Sequence, residues 1–139
     1  MYWMPDITAY FEIISNLLKE NGVVLIYESH PIADLFANKD EAEYDPAHPY
    51  KIISSYFRRE AWIENNGIDY IGQSTYKSLT NYGFTHTLSE VITALIKNSL
   101  TITEFMEYPH DISESCDHLE SDGLFPLSYT LAAVKKHPG

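Results

Sequence analysis

The sequence predicts an α/β chain with a mixed sheet of about three strands, helices packed on it, and a long insert. Three observations carry this. Ile7, Tyr10, Phe11, Ile14, Leu17 and Leu18 recur at i, i+3, i+4, i+7, i+10 and i+11, the spacing of one buried helical face. Leu88, Val91, Ile92, Leu95 and Ile96 repeat that pattern further on. Between and after them stand three β-rich runs, 23–27, 101–108 and 126–135.

The first helix has well-marked boundaries. Asp6, after Pro5, can accept from the free N–H groups of the opening turn, and Gly22 stands where a left-handed cap would end the helix. Val23, Val24, Leu25, Ile26 and Tyr27 follow as a strand that is apolar on both faces, which places it inside a helix-covered, largely parallel sheet. Ligands of such sheets sit beyond the carboxyl ends of the strands, and Glu28, Ser29 and His30 lie at that end. The face of Ile7, Phe11, Ile14 and Leu18, together with the 23–27 edge, is a candidate association surface.

From about Ile32 to Phe84 the chain reads as an irregular insert, with an acidic stretch (Asp40, Glu41, Glu43, Asp45) and the turn pairs Asp45-Pro46 and His48-Pro49. Ile52, Ile53, Tyr56 and Phe57 have the spacing of a short helix. A segment this long without regular structure is characteristic of a lid, so it reads as a substrate cover. Thr87, Leu88, Ser89 and Glu90 have the T-x-x-E form of a capping box, which opens the second helix and sends it to about Asn98. The run 101–108 is interrupted by Thr101, Thr103 and Glu107 and therefore belongs near the edge of the sheet. An acidic loop then leads to the closing strand, where Leu127, Tyr129, Leu131 and Ala133 alternate with Ser128, Thr130, Ala132 and Val134.

Composition narrows the function. In 139 residues there are 9 Lys and Arg against 20 Asp and Glu, a formal charge of −11, which repels phosphate backbones and anionic lipid, so neither nucleic acid nor membrane is expected as a partner. No apolar run reaches the roughly 18 residues that span a bilayer, and the sequence opens without a signal pattern. The single cysteine, Cys116, permits no internal disulfide, and a cytoplasmic location is expected. One domain, 1–139, suits the length. Eleven tyrosines suit a wet pocket or an interface, because each ring pairs apolar area with one polar tip.

Several words of the sequence resemble class I S-adenosylmethionine-dependent methyltransferases of small-molecule type. WMPDITAYFEIISNLLKENGVVLIYESHP is similar to the family segment in which W-x-P-D opens a helix and an apolar strand ends in E-x-H-P. HTLSEVITALIKNSLTITEFMEYPHD resembles the later H-T-L-G-E segment, and PLSYTLAAVKK resembles the closing strand. Asn21 and Ser99 stand where that family favours a small residue and glycine. The resemblance implies the C-terminal half of a Rossmann-like methyltransferase fold, with Met1 just after the fourth of seven strands. It also implies S-adenosylmethionine as the family cofactor. Its G-x-G turn is not found among the six scattered glycines, so the chain alone is not expected to bind that cofactor. With the fourth strand gone, Val23–Tyr27 becomes an open edge, which predicts a homodimer or pairing with an N-terminal half.

On this resemblance the candidate catalytic residues are Glu28, His30 and His86. Glu28 and His30 share one strand face and could orient a substrate or take its proton, or else pair locally and brace the loop into Pro31. His86 points to the same pocket or belongs to the start of the helix that follows it. Tyr56, Phe57, Trp62, Tyr70 and Tyr82 could wall a substrate site or cover the core. Tyr2 and Trp3 fall at the edge of the family's cofactor site. His110, Asp111, Cys116 and His118 match no zinc spacing, and acidic neighbours such as Glu114 and Asp117 should raise the Cys116 thiol pKa and keep it inert. The alternative to a half-enzyme is a non-catalytic module for dimerisation or partner binding.

Overall fold

A computed structural model describes all residues except 40, 68–73, 75 and 137–139, so Asp40, Tyr70 and Gly72 lie outside the described residues. The elements are α1 (Ile7–Leu17), β1 (Val23–Ser29), β2 (Trp62–Gly67), β3 (Tyr76–Gly83), α2 (Leu88–Lys97), β4 (Leu100–Tyr108) and β5 (Ser128–Lys135), with 3-10 turns at Ala33–Leu35 and Asp117–Asp122. Three strands form a sheet in the order β1-β5-β4, and β2 pairs with β3 apart from it.

β5 runs antiparallel to both neighbours, so β1 and β4 point the same way without touching. The apolar pattern alone places β1 inside a mostly parallel sheet, whereas the resemblance makes it an open edge; among the described residues it is an edge, paired antiparallel to β5, and Val23, Leu25 and Tyr27 on one face remain exposed, Leu25 at 71%. An apolar run on both faces specifies the strand but not what covers it. β4 is the other edge, as its interrupted pattern predicts, and a bulge at Thr103 shifts its register between Ile102 and Glu104.

α1 and α2 pack on the opposite face. Phe11, Val91, Ala94 and Leu95 meet Ile26, Leu100, Tyr129, Leu131 and Ala133 in one core. Ile7 and Phe11 are buried there, with Ile14 and Leu18 packed beside them, so this helix face lies against the chain's own core. Ala33, Phe36, Cys116, Leu119 and Leu127 form a second core under the loops.

Local chemistry explains the helix ends. The Asp6 carboxylate accepts from the N–H groups of Thr8 and Ala9, both at 2.9 Å. At α2 both halves of the capping box are made: Thr87 accepts from the Glu90 N–H, and the Glu90 side chain from the Thr87 N–H. The left-handed residue before β1 is Asn21 (φ 59°), not Gly22, whose position is tight instead, because a Cβ there would lie 2.8 Å from the Lys19 carbonyl. Ser99 (φ 58°) is its counterpart before β4. The insert departs most from the sequence reading. Ile52 makes an isolated bridge to Phe36 and no helix forms across 52–57, while β2 and β3 build a hairpin-like pair that the sequence did not announce.

A left-handed backbone costs a residue with a Cβ about 1–2 kcal/mol, part of which glycine returns through its freer unfolded chain. Ser99→Gly should therefore raise stability by about 0.5–1 kcal/mol in urea denaturation, while Thr87→Ala should lower it by about 1 kcal/mol. An unchanged midpoint for either variant would contradict the turn or the cap described here.

Candidate functional site

A cavity of about 360 Å³ opens at the carboxyl end of β1. Its floor is Glu28, Ser29 and His30, its back wall is Tyr129 of β5, and the insert closes it with Asp34, Glu41, Trp62 and Thr85. The N-terminal segment supplies Tyr2 and Trp3. Of the residues singled out from the sequence, Glu28, His30, His86, Trp62, Tyr2 and Trp3 come together here. Tyr56, Phe57 and Tyr82 do not line it: Phe57 and Tyr82 are exposed, and the Tyr56 hydroxyl accepts from the Leu88 N–H at 3.3 Å.

Sheet register sets the floor. Glu28 and Glu107 both pair across Tyr129, so the three side chains stand in one row on one face. The Met1 ammonium lies 2.6 Å from Glu28 Oε2. His30, next on that face, is buried, and its Nδ1 accepts from the Ile32 N–H at 3.1 Å. That bond assigns the ring proton to Nε2, which donates to Glu107 Oε1 at 3.0 Å. Burial lowers the His30 pKa against the opposing pull of Glu107. With both nitrogens engaged and the ring neutral, His30 braces the turn into Pro31 and holds Glu107.

His86 differs. Its Nε2 donates to the Met4 carbonyl at 2.7 Å, and Nδ1 bonds to no described residue. It lies between this cavity and a larger polar groove of about 530 Å³ that also contains Arg58, Arg59 and Lys97. In that groove Arg59 donates to Glu90. Arg58 stacks its guanidinium 3.9 Å from the centre of the Trp62 ring and donates to the Glu60 carbonyl.

The sequence reading missed Asp34, Thr85 and Glu41. Trp62 Nε1 donates to Thr85 Oγ1 at 3.0 Å, and that hydroxyl donates to Asp34 Oδ2 at 2.6 Å. Burial raises the Asp34 pKa, and Glu28 and Glu41 add to the rise. Glu41 accepts from the Asn38 N–H at 2.9 Å. These groups come from separate loops whose meeting no local spacing announces. Cys116 also faces the cavity, but burial, then Asp111, Asp34, Glu41 and Asp117, push its thiol up to about 12. That is the direction expected, with Asp111 and Asp34 as larger influences than the flanking Asp117. Among the described residues no group of His, Cys, Asp and Glu is placed to hold a metal ion.

The whole-chain arrangement matches solved structures. A structure from Listeria monocytogenes, provisionally assigned as an S-adenosylmethionine-dependent methyltransferase, superposes with a TM-score of 0.63 over 98% of this chain and 58% of its own, at 15% identity. This chain has part of a class I methyltransferase-like fold. An S-adenosylmethionine-dependent methyltransferase from Mesorhizobium loti agrees, with a TM-score of 0.54 over 96% of this chain and 57% of its own, at 17% identity. The chain thus spans under two thirds of the length of either structure. No family model and no curated protein matches the sequence.

In such a fold a cofactor needs a backbone free of side chains to lie against. Here a Cβ on Gly83 would fall 1.9 Å from the Tyr2 ring and one on Gly67 2.1 Å from the Tyr76 ring, while Gly123 opens on empty space. The space beside Gly22 is taken by Lys19 and Leu18. Gly22, Gly67 and Gly83 are thus each closed off by a neighbouring residue. No helix among the described residues is long and apolar enough to cross a membrane.

Because His30 is held neutral, its contribution to stability is complete above its unfolded pKa of about 6.5 and is lost as pH falls from there through the lowered folded value. Subtracting the urea-melt profile of His30→Gln from that of the wild-type protein should isolate this loss below about pH 6.5. A flat difference curve would show that His30 is not held neutral.

Proposed function

We propose that this chain supplies the substrate-side part of an S-adenosylmethionine-dependent methyltransferase for a small molecule, and that it does not transfer methyl groups alone. The observation that carries the reading is the cavity at the carboxyl end of β1, the position where ligands collect in folds of this kind. Methyl transfer depends chiefly on alignment of acceptor and donor, so a shaped pocket and one base suffice from this side. His86, with a free Nδ1 at the rim, is the group suited to take a proton from the acceptor atom. Glu28 orients the substrate's polar end. His30 is a positioning residue, since its nitrogens are both occupied. Trp62 walls the substrate, as do Tyr2 and Trp3, which the resemblance places beside the cofactor.

The second reading, a non-catalytic module for a homodimer or a partner such as an N-terminal half, is favoured by one feature. β1 has no neighbour on its outer side among the described residues, and Val23, Leu25 and Tyr27 are exposed beside it. Such an edge templates pairing with another chain.

Calorimetry with S-adenosylmethionine should give no saturable heat for this chain; saturable binding would overturn the requirement for a further component. Light scattering after size exclusion should give about twice the monomer mass if the β1 edge pairs copies of the chain. A monomer at micromolar concentration would eliminate the homodimer.

A further inference from the structure

We infer that the cavity at the end of β1 selects a small organic ammonium ion, a protonated amine on an apolar body. This deepens the preceding reading and rests on it only for treating the cavity as the substrate's site. Two independent features point the same way. The first is charge. Glu28, Asp34, Glu41 and Glu64 all border the cavity. The cation lining it is the Met1 ammonium, already paired with Glu28; Arg58 lies in the neighbouring groove, with its guanidinium over the Trp62 ring and bonded to the Glu60 carbonyl. His30 is neutral and His86 is singly bonded through Nε2. Carboxylates outnumber cations along its lining: burial and then Glu28 and Glu41 raise the Asp34 pKa against the Thr85 hydrogen bond and Arg58, and burial and then Glu64, Asp34 and Glu41 raise that of the Tyr2 phenol.

The second feature is an unused polar group. Tyr129 is 1% exposed, lines the cavity, and its hydroxyl bonds to no described residue. The ring is packed away while its hydroxyl opens on the cavity, where a ligand can meet it. Burial and then Glu28 raise its pKa, so it stays an O–H able both to donate and to accept.

The occupant follows from how these groups are spread. No set of them is placed to hold a metal ion, which needs several ligands converging on one point. Carboxylates distributed around aromatic rings suit a larger, softer cation instead. An ammonium group gives hydrogen bonds to Asp34 and Glu41, while Tyr2, Trp3 and Trp62 meet its apolar body and add cation–π attraction. An anionic or neutral isostere loses these terms.

The test compares three phenyl-bearing probes that differ in charge, on the full chain without cofactor, so that its outcome is independent of methyl transfer: the phenethylammonium ion, its neutral isostere 2-phenylethanol and the slightly longer 3-phenylpropionate. Titration followed by NMR should show the ammonium probe binding at least about tenfold more tightly than the alcohol, with no saturable binding of the carboxylate. Glu41→Gln and Asp34→Asn should each weaken the ammonium probe about tenfold and leave the alcohol unchanged. Glu41→Gln guards the test should Asp34→Asn fail to fold. Equal binding of ammonium and alcohol, binding of none of the three, or indifference of the ammonium probe to Glu41→Gln would overturn the inference.

Discussion

The structure hangs on the double pairing of β5. It is hydrogen-bonded along both edges, and Tyr129, Leu131 and Ala133 project from one face into the helices while β1 and β4 are held in register on either side. Everything at the site inherits that register. Glu28 and Glu107 flank Tyr129 because they are its cross-strand partners, and His30 reaches Glu107 across that row. Lys135 at the far end donates to the carbonyls of Ser15 and Leu18, so β5 also fastens the last turn of α1 and satisfies carbonyls that helix leaves free.

Elements whose cause is local were legible in the sequence. Asp6 and the Thr87–Glu90 box mark helix starts because capping is a contact between residues two or three apart. The alternation in 126–135 gave the closing strand because a half-buried strand must alternate. What failed was whatever depended on distant chain. β2 and β3 (WIENNG, YKSLTNYG) carry no apolar alternation, since their pairing rests on each other and little of them is buried. Gly22 was read as the left-handed residue because glycine is the usual choice there, yet Asn21, which tolerates that conformation, took it.

The candidate site divides along the same line. Glu28 and His30 were visible because the end of a strand is a position that sequence can mark. Asp34, Thr85 and Glu41 were not, because they gain meaning only where the β1–β2 and β3–α2 connections converge. Conversely Phe57 and Tyr82 looked like wall residues by type alone and stand in solvent. Residue type proposes a role; the backbone path decides whether the side chain arrives.

Gly83 has a last consequence. The Tyr2 ring occupies the space beside Gly83 that a Cβ would fill, and the Phe84 N–H donates to the Tyr2 carbonyl at 2.8 Å. The first residues of the chain are thereby riveted to the end of β3, and Tyr2 reaches Glu64 on β2 as well. The N-terminal segment and the β2–β3 pair thus meet at the mouth of the cavity, and any side chain at position 83 would part them.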